Sequence, residues 1–176
     1  MSARPLTRRD IERLFRKLNT QLEADAVRGE IYLVGGAVMC LVHEARPATR
    51  DVDGFFKPAK QLRAAAARVA LDEGLPDNWL NDAVKGFFSE QGTFSVYLQL
   101  SHLTVHVADP AYLLAMKCLS ARIGEEFHDI DDIRYLLRNL NLTTPAEAKE
   151  VIQRYYPLER YPQKTLYLLE ELFANP

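Results

Sequence analysis

The hydrophobic pattern of the chain changes once, near Pro110, and this change limits the folds that the sequence can adopt. Before Pro110, short apolar stretches rich in β-branched and aromatic residues alternate with segments of helical periodicity, which predicts strands interleaved with helices. After Pro110 the apolar residues recur at helical spacing to the end of the sequence. We therefore predict an α+β protein with a small mixed β-sheet, flanking helices and a helical C-terminal part.

The same change gives the predicted domain boundary. Residues 1–110 would form an α/β core that includes an N-terminal helix, and residues 111–176 a helical part packed on that core as one unit. The N-terminal helix is indicated by Thr7 and Asp10, which are spaced as a capping box. Apolar residues at helical spacing follow them: Ile11, Leu14, Phe15 and Leu18.

Charge and cysteine content exclude several classes of protein. The net charge of −2 argues against a protein that coats nucleic acid, although a local basic patch remains open. Cys40 and Cys118 each lie in an apolar stretch, so we predict buried thiols rather than a disulfide scaffold or a cysteine zinc site. The N-terminal segment is charged and no apolar run approaches the roughly 18 residues that span a bilayer. We expect a cytoplasmic protein without a membrane partner.

Further elements follow from periodicity and from the glycine and proline positions. An apolar strand, Ile31–Val34, is followed by Gly35-Gly36 and then by a helix, and the next strand contains the segment RDVDGFF. The segments FFSEQ, TFSVYLQL and LTVHVAD predict three more strands. The predicted helices beyond the first are Ala37–Ala45, Ala64–Leu71, Pro110–Ile123, Asp129–Leu140, Pro145–Tyr155 and Pro162–Phe173.

Asp51 and Asp53 are the most informative pair of polar residues. Alternate residues of a strand share a face, so the two carboxylates would lie close enough to hold one or two hard cations. Mg²⁺ prefers a few carboxylates together with water and substrate phosphates, which favours a nucleotide site. The alternative is that the two aspartates are turn residues or line a solvated strand face, as most such pairs do.

Gly35 and Gly36 end the apolar strand and precede a helix. Glycines permit close approach of the backbone, and N–H groups at a helix start bind phosphate. The alternative is a plain strand-to-helix turn. The segment matches neither a P-loop nor the Rossmann glycine pattern, and the sequence also lacks the zinc-protease histidine spacings and the G-x-S-x-G of serine hydrolases.

The order of these motifs resembles the DNA polymerase beta-like nucleotidyltransferase superfamily. The resemblance consists of an apolar strand, Gly-Gly, a short helix, and then Thr49-Arg50-Asp51-Val52-Asp53. Later residues extend the resemblance to the branch of bacterial nucleotidyltransferase-like proteins related to abortive-infection type IV toxins. The resemblance then covers the chain from Ile31 to Leu137. Those later residues are Asp109 to Lys117, Ala121-Arg122, and Asp129-x-x-Asp132-Ile133.

The resemblance implies an enzyme that transfers an NMP from an NTP to a hydroxyl of RNA, protein or a small molecule, in a bacterial toxin–antitoxin pair with a protein partner. Asp51 and Asp53 would be catalytic and bind Mg²⁺, with two ions if a third carboxylate joins them. Lys117 would be catalytic as a cation at the triphosphate. The nucleotide-binding residues would be Gly35, Gly36, Arg50, Arg122 and Asp129.

One departure from the family keeps a second hypothesis open. Active members place a third carboxylate on a later strand, and the polar inward position of Leu103–Val107 is here Thr104 or His106. The chain could therefore be a catalytically degenerate nucleotidyltransferase fold that binds a nucleotide or a protein. Lys117 and Arg122 could equally be solvated cations, and Asp129 could cap the helix that follows it.

Overall fold

The structure, a computed structural model, describes residues 4–121 and 128–176. The fold is α+β, as predicted, with a five-stranded mixed sheet, a small two-stranded sheet and helices toward the C-terminus. The chain forms two compact units. The first contains the residues up to Gly86 together with Phe94–Ala108, and the second contains Phe87–Thr93 and the chain from Asp109 onward.

The first unit contains both sheets. In chain order the elements of this unit are β1 (Leu6–Thr7), α1 (Arg8–Ala24), β2 (Gly29–Val34), α2 (Gly36–Leu41), β3 (Ala48–Thr49), β4 (Val52–Lys57), α3 (Ala59–Glu73), β5 (Leu80–Asn81), β6 (Phe94–Gln99) and β7 (Leu103–Ala108). The strand order of the larger sheet is β5-β4-β2-β7-β6, in which β2 is antiparallel to β4 and parallel to β7.

The predicted N-terminal helix is confirmed as α1. Thr7 accepts a hydrogen bond from the Asp10 N–H, and the Asp10 carboxylate accepts one from the Thr7 N–H, which completes the capping box. The hydrogen bond from the Thr7 N–H, followed by one that the Thr7 hydroxyl donates to the same carboxylate at 2.7 Å, lowers the pKa of Asp10. The four predicted apolar residues of α1 are fully buried.

The larger sheet has two unlike faces. Residues such as Ile31, Val105 and Phe56 alternate along β2, β7 and β4 on a buried face, against which α1 and α3 pack. A Cβ at Gly29 on this face would meet side chains of both helices. We call the opposite side the half-exposed face; it presents Glu30, Tyr32, Asp53, Phe55, Lys57, Thr104, His106, Phe94 and Val96.

One predicted strand is wrong. Residues 87–91, the segment FFSEQ, form the end of a 3₁₀ helix (Ala83–Phe87) and a turn. Tyrosine hydroxyls provide hydrogen bonds to this backbone: the Ser89 N–H donates to Tyr112 Oη at 2.8 Å, and Tyr156 Oη donates to the Phe87 carbonyl. The segment therefore needs no neighbouring strand, and no local pattern reveals that its partners come from distant helices.

The second unit is helical, as the sequence predicts. The predicted end of its first helix, Ile123, lies outside the described residues. Tyr156 and Tyr161 are buried, and the Tyr161 hydroxyl donates to the Ile152 carbonyl at 2.7 Å. In the described ranges no helix of either unit is long and apolar enough to cross a membrane. The helices of the second unit are α4 (Pro110–Ser120), α5 (Asp129–Asn139), α6 (Pro145–Gln153) and α7 (Gln163–Ala174).

Candidate functional site

Asp53 lies near the start of β4, on the half-exposed face. The strand register places it opposite Val34 of β2 on one side and Asn81 of β5 on the other. The Asn81 side-chain amide donates to Asp53 Oδ1 at 2.7 Å. This hydrogen bond fixes the orientation of the carboxylate. The sequence did not indicate Asn81, because its role depends on the pairing of two strands that are distant in the chain.

Gly35 brings the turn after β2 directly against that carboxylate. Its backbone has φ 71° and ψ −149°, a region that is open essentially to glycine alone. A Cβ at this position would lie 3.6 Å from Asp53 Oδ2. The backbone of the turn therefore lies close to the carboxylate.

Gly36 is required by close packing. A Cβ here would lie 2.8 Å from Arg46 Nη1 and 2.9 Å from Thr49 Oγ1, so any larger residue would displace both side chains. The packing places the Arg46 guanidinium beside the glycine turn. The sequence analysis did not identify Arg46, since it lies in the irregular segment between α2 and β3 and matches no motif.

Asp51 lies one residue before β4, which begins at Val52. Strand alternation therefore assigns Asp53, but not Asp51, to the half-exposed face. The local chain is nevertheless held in place: the Thr49 hydroxyl donates to the Asp51 carbonyl at 3.2 Å, and Thr49 pairs with Leu6 in the two-stranded sheet. Arg50 is exposed and makes no hydrogen bond or ion pair within the described part of the chain.

Burial shifts the pKa of two further side chains, one in α2 and one just after it. Burial raises the pKa of the Cys40 thiol, and burial lowers the pKa of the His43 imidazole. Cys40 is fully inside the core, as predicted.

The Asp53 carboxylate has the donor chemistry that a magnesium ion requires, and Asn81 orients it. Mg²⁺ binds through one or two carboxylates and completes its octahedron with waters and substrate phosphates. Asp53 Oδ2 faces the glycine turn, while Oδ1 is taken by Asn81. Within residues 4–121 and 128–176, no group of three His, Cys, Asp or Glu side chains is arranged to hold a metal ion.

On β7, the two inward polar positions, Thr104 and His106, pair with Glu30 and Tyr32 of β2, whereas Asp53 pairs with Val34. The His106 side chain is held by its neighbours on this face. Its ring stacks on Tyr32, with centroids 4.4 Å apart and planes 4° from parallel. Its Nε2 lies 3.8 Å from Glu30 Oε1. His106 is thus packed into an aromatic contact on the half-exposed face.

Lys117 and Asp129 belong to a buried cluster within the second unit. Lys117 Nζ lies 3.1 Å from Asp129 Oδ1 and 2.7 Å from Asp132 Oδ2, and all three residues are buried. The predicted N-cap role of Asp129 is wrong, since His128 is the N-cap and Asp129 is the first residue of α5. Lys117 is also not a solvated cation. Arg122 lies outside the described residues.

Comparisons with protein-family models, with curated proteins and with solved structures found no match to this chain. The resemblance to nucleotidyltransferases therefore consists of motifs and their order. The geometry adds the contact between the glycine turn and Asp53, with Arg46 beside it.

Proposed function

We propose that this protein is a magnesium-dependent nucleotidyltransferase that moves a nucleoside monophosphate from an NTP to a hydroxyl acceptor. The observation that supports the proposal most directly is the packing of the Gly35 turn against the Asp53 carboxylate. A site for a metal–triphosphate needs an acidic oxygen beside backbone that a phosphate can approach closely. The first unit supplies both within one turn.

Each residue of this site has a definite part in the proposal. Asp53, with Asp51 two residues before it, would hold Mg²⁺, which supplies charge neutralisation and alignment of the phosphates. Asn81 keeps Asp53 Oδ2 directed at the turn by occupying Oδ1. Arg46, beside Gly36, and the exposed Arg50 would stabilise charge that develops on the leaving pyrophosphate. The acceptor would be RNA, protein or a small molecule, in a cytoplasmic toxin–antitoxin pair.

Two contacts favour the second candidate, a degenerate fold that binds a nucleotide or a protein without catalysis. His106, one of the two β7 positions at which the resemblance would place a third acid, is stacked on Tyr32. Lys117, the cation that the resemblance assigns to the triphosphate, is bound by two buried carboxylates. Nucleotide binding with no transfer to any acceptor would identify this candidate.

The deciding experiment is a calorimetric titration of each NTP into the protein, with and without Mg²⁺. We expect one nucleotide to bind only with Mg²⁺. Asp53→Asn should weaken that binding by at least about tenfold, since the loss of a residue that only orients a metal ligand already has an effect of that size. Asp77→Asn, at an exposed turn residue, is the matched control and should bind as the wild type does. Unchanged binding in Asp53→Asn would contradict the proposed site.

A further inference from the structure

The half-exposed face presents a row of aromatic side chains next to Asp53. Tyr32 pairs with Phe55 of β4 and with His106 of β7, so the three rings cross neighbouring strands on one face. The Tyr32 ring lies 6.0 Å from Phe55 and 5.2 Å from Phe94, centroid to centroid. Phe55 is two residues from Asp53 on the same strand, which is a separation of about 7 Å.

These rings are not sealed into a core. Tyr32, Phe55 and Phe94 remain partly exposed, and Val96, opposite His106 on the neighbouring strand, is 59% exposed. A buried face of the same sheet already provides the packing against α1 and α3. An aromatic row that stays partly exposed on the opposite face favours a binding role.

Cationic side chains border the row at the end farther from Asp53. Lys57 Nζ lies 5.2 Å from the Tyr32 centroid and 5.9 Å from the Phe55 centroid. Beyond it opens a cleft of about 500 Å³ whose lining includes Lys57, Arg28 and His102. Arg28 is exposed and makes no ion pair in the described residues.

An acidic residue on this face is already engaged. Glu30 accepts a hydrogen bond from the Tyr32 hydroxyl at 3.1 Å and lies 3.8 Å from Lys57 Nζ. Its Oε1 lies 3.8 Å from His106 Nε2. Arg28 therefore remains available to an external anion at the cleft, next to rings that can stack.

From this juxtaposition we infer that the half-exposed face binds single-stranded nucleic acid, with bases stacked on Tyr32 and Phe55 and phosphates at Lys57 and Arg28. Aromatic rings on a sheet stack unpaired bases, and a neighbouring cationic groove receives the backbone. A base on Tyr32 would take the place of the Lys57 ammonium, and the flexible lysine would then contact the adjoining phosphate.

A single strand suits this surface better than a duplex. The faces of paired bases are covered by their neighbours, whereas an unpaired base offers a free π-face. From Lys57 to Asp53 the path along β4 is about 13 Å, so a strand that starts in the cleft crosses the rings and reaches Asp53. The strand would thus be the acceptor of nucleotidyl transfer. Only this acceptor role rests on the proposed function; binding does not.

The inference is tested by fluorescence anisotropy with labelled oligonucleotides of about eight nucleotides, a length typical of single-strand sites. Single-stranded RNA, single-stranded DNA and a duplex of the same length are compared without NTP or Mg²⁺. We expect a single strand to bind more tightly than the duplex, with affinity that falls as salt rises. The RNA and DNA arms show which sugar is preferred.

Variants separate stacking from charge. Tyr32→Leu should weaken binding by about fivefold or more, while Tyr32→Phe, which keeps the ring, should bind within about twofold of the wild type. Arg28→Gln and Lys57→Gln should each reduce the salt slope by about one. Arg9→Gln, at an exposed arginine of α1, should change nothing. Circular dichroism verifies folding, and Phe55→Leu replaces Tyr32→Leu if the latter does not fold.

Three results would overturn the inference: no binding of any single strand at low salt, equal binding of the duplex, or equal losses in Tyr32→Leu and Tyr32→Phe. The two proposals fail separately. Binding of a single strand without binding of any NTP would contradict the proposed nucleotidyltransferase and support the strand-binding face. Binding of an NTP without binding of a single strand would support the proposed function and contradict the strand-binding face.

Discussion

At Gly35 a single backbone conformation determines how the candidate site is built. The φ of 71° and ψ of −149° let β2 end directly in a turn beside Asp53. A residue with a Cβ adopts this region at a cost of about 1–3 kcal/mol. The packing around Gly35 would not by itself exclude a side chain, since an added Cβ would meet Asp53 Oδ2 at ordinary contact distance.

Gly35→Ala is therefore expected to lower the free energy of unfolding by about 1–3 kcal/mol, through backbone strain rather than a clash. Urea denaturation measures the change. Gly86→Ala is the control, because its φ is not positive and nothing lies within 4 Å of its added Cβ. Equal stability of the two variants would contradict the strain assigned to Gly35.

Tyr97 and Glu12 form another interaction that depends on single residues. The Tyr97 hydroxyl donates to Glu12 Oε1 at 2.6 Å. Burial, and then this hydrogen bond, raise the pKa of Tyr97 to about 12 from 10. The same bond is the main reason why the pKa of Glu12 is lowered.

Tyr97→Phe should lower the free energy of unfolding by about 1 kcal/mol at neutral pH. Because the folded pKa lies above the unfolded pKa, the contribution of Tyr97 is complete below pH 10 and is lost as the pH rises through 12. Denaturation of both proteins across this range should show their difference shrinking. A difference that stays constant would mean that Tyr97 does not titrate in this way.

Among the elements, α4 and α5 are joined by the buried cluster of Lys117, Asp129 and Asp132. The sequence showed a lysine on one helix and acids in the first turn of the next, a pattern that solvated residues share. Only the packing of the two helices removes these three side chains from water. Once they are buried, each charge depends on its partners.

Lys117→Met should lower the free energy of unfolding by about 3–5 kcal/mol, because it removes the ammonium group that lies against two buried carboxylates. Adding Asp129→Asn and Asp132→Leu should restore part of the loss. Lys149→Met breaks a more exposed pair, Lys149 Nζ–Glu170 Oε1 at 2.8 Å between α6 and α7, and should change stability by about 1 kcal/mol or less. A small effect in Lys117→Met would show that the cluster does not stabilise the helix pair.

At the scale of the whole molecule, ligand binding is linked to folding. A ligand that binds only the folded protein stabilises it by about 2.7 kcal/mol at a concentration of 100 Kd. For a chain of 176 residues, 1 kcal/mol corresponds to about 2–4 °C in Tm. The proposed function therefore predicts a shift that is easily measured.

The NTP that binds with Mg²⁺ should raise Tm by about 5–10 °C at 100 times its Kd. The shift should vanish when EDTA removes the metal, because Asp53 would hold the triphosphate through Mg²⁺. Differential scanning fluorimetry measures it, with Asp53→Asn as the negative comparison and Asp77→Asn as the matched control. An equal shift with EDTA present would argue against metal-dependent binding.

The sequence by itself determined the α+β class, α1 with its capping box, most of the strands and the helices of the second unit. These features depend on periodicity and caps, in which each residue interacts with neighbours a few positions away. The segment FFSEQ fails for the same reason: its apolar start is typical of a strand, but Tyr112 and Tyr156 provide hydrogen bonds to its backbone from distant helices.

The tertiary structure alone decided which side chains meet. Asn81 reaches Asp53 through the pairing of β4 with β5, and Arg46 reaches Gly36 through the fold of an irregular segment. The aromatic row exists because Tyr32, Phe55 and His106, which lie on three different strands, fall into register across the sheet. Local pattern specifies the face to which a residue belongs, whereas register, set by the whole packed core, specifies its neighbours on that face.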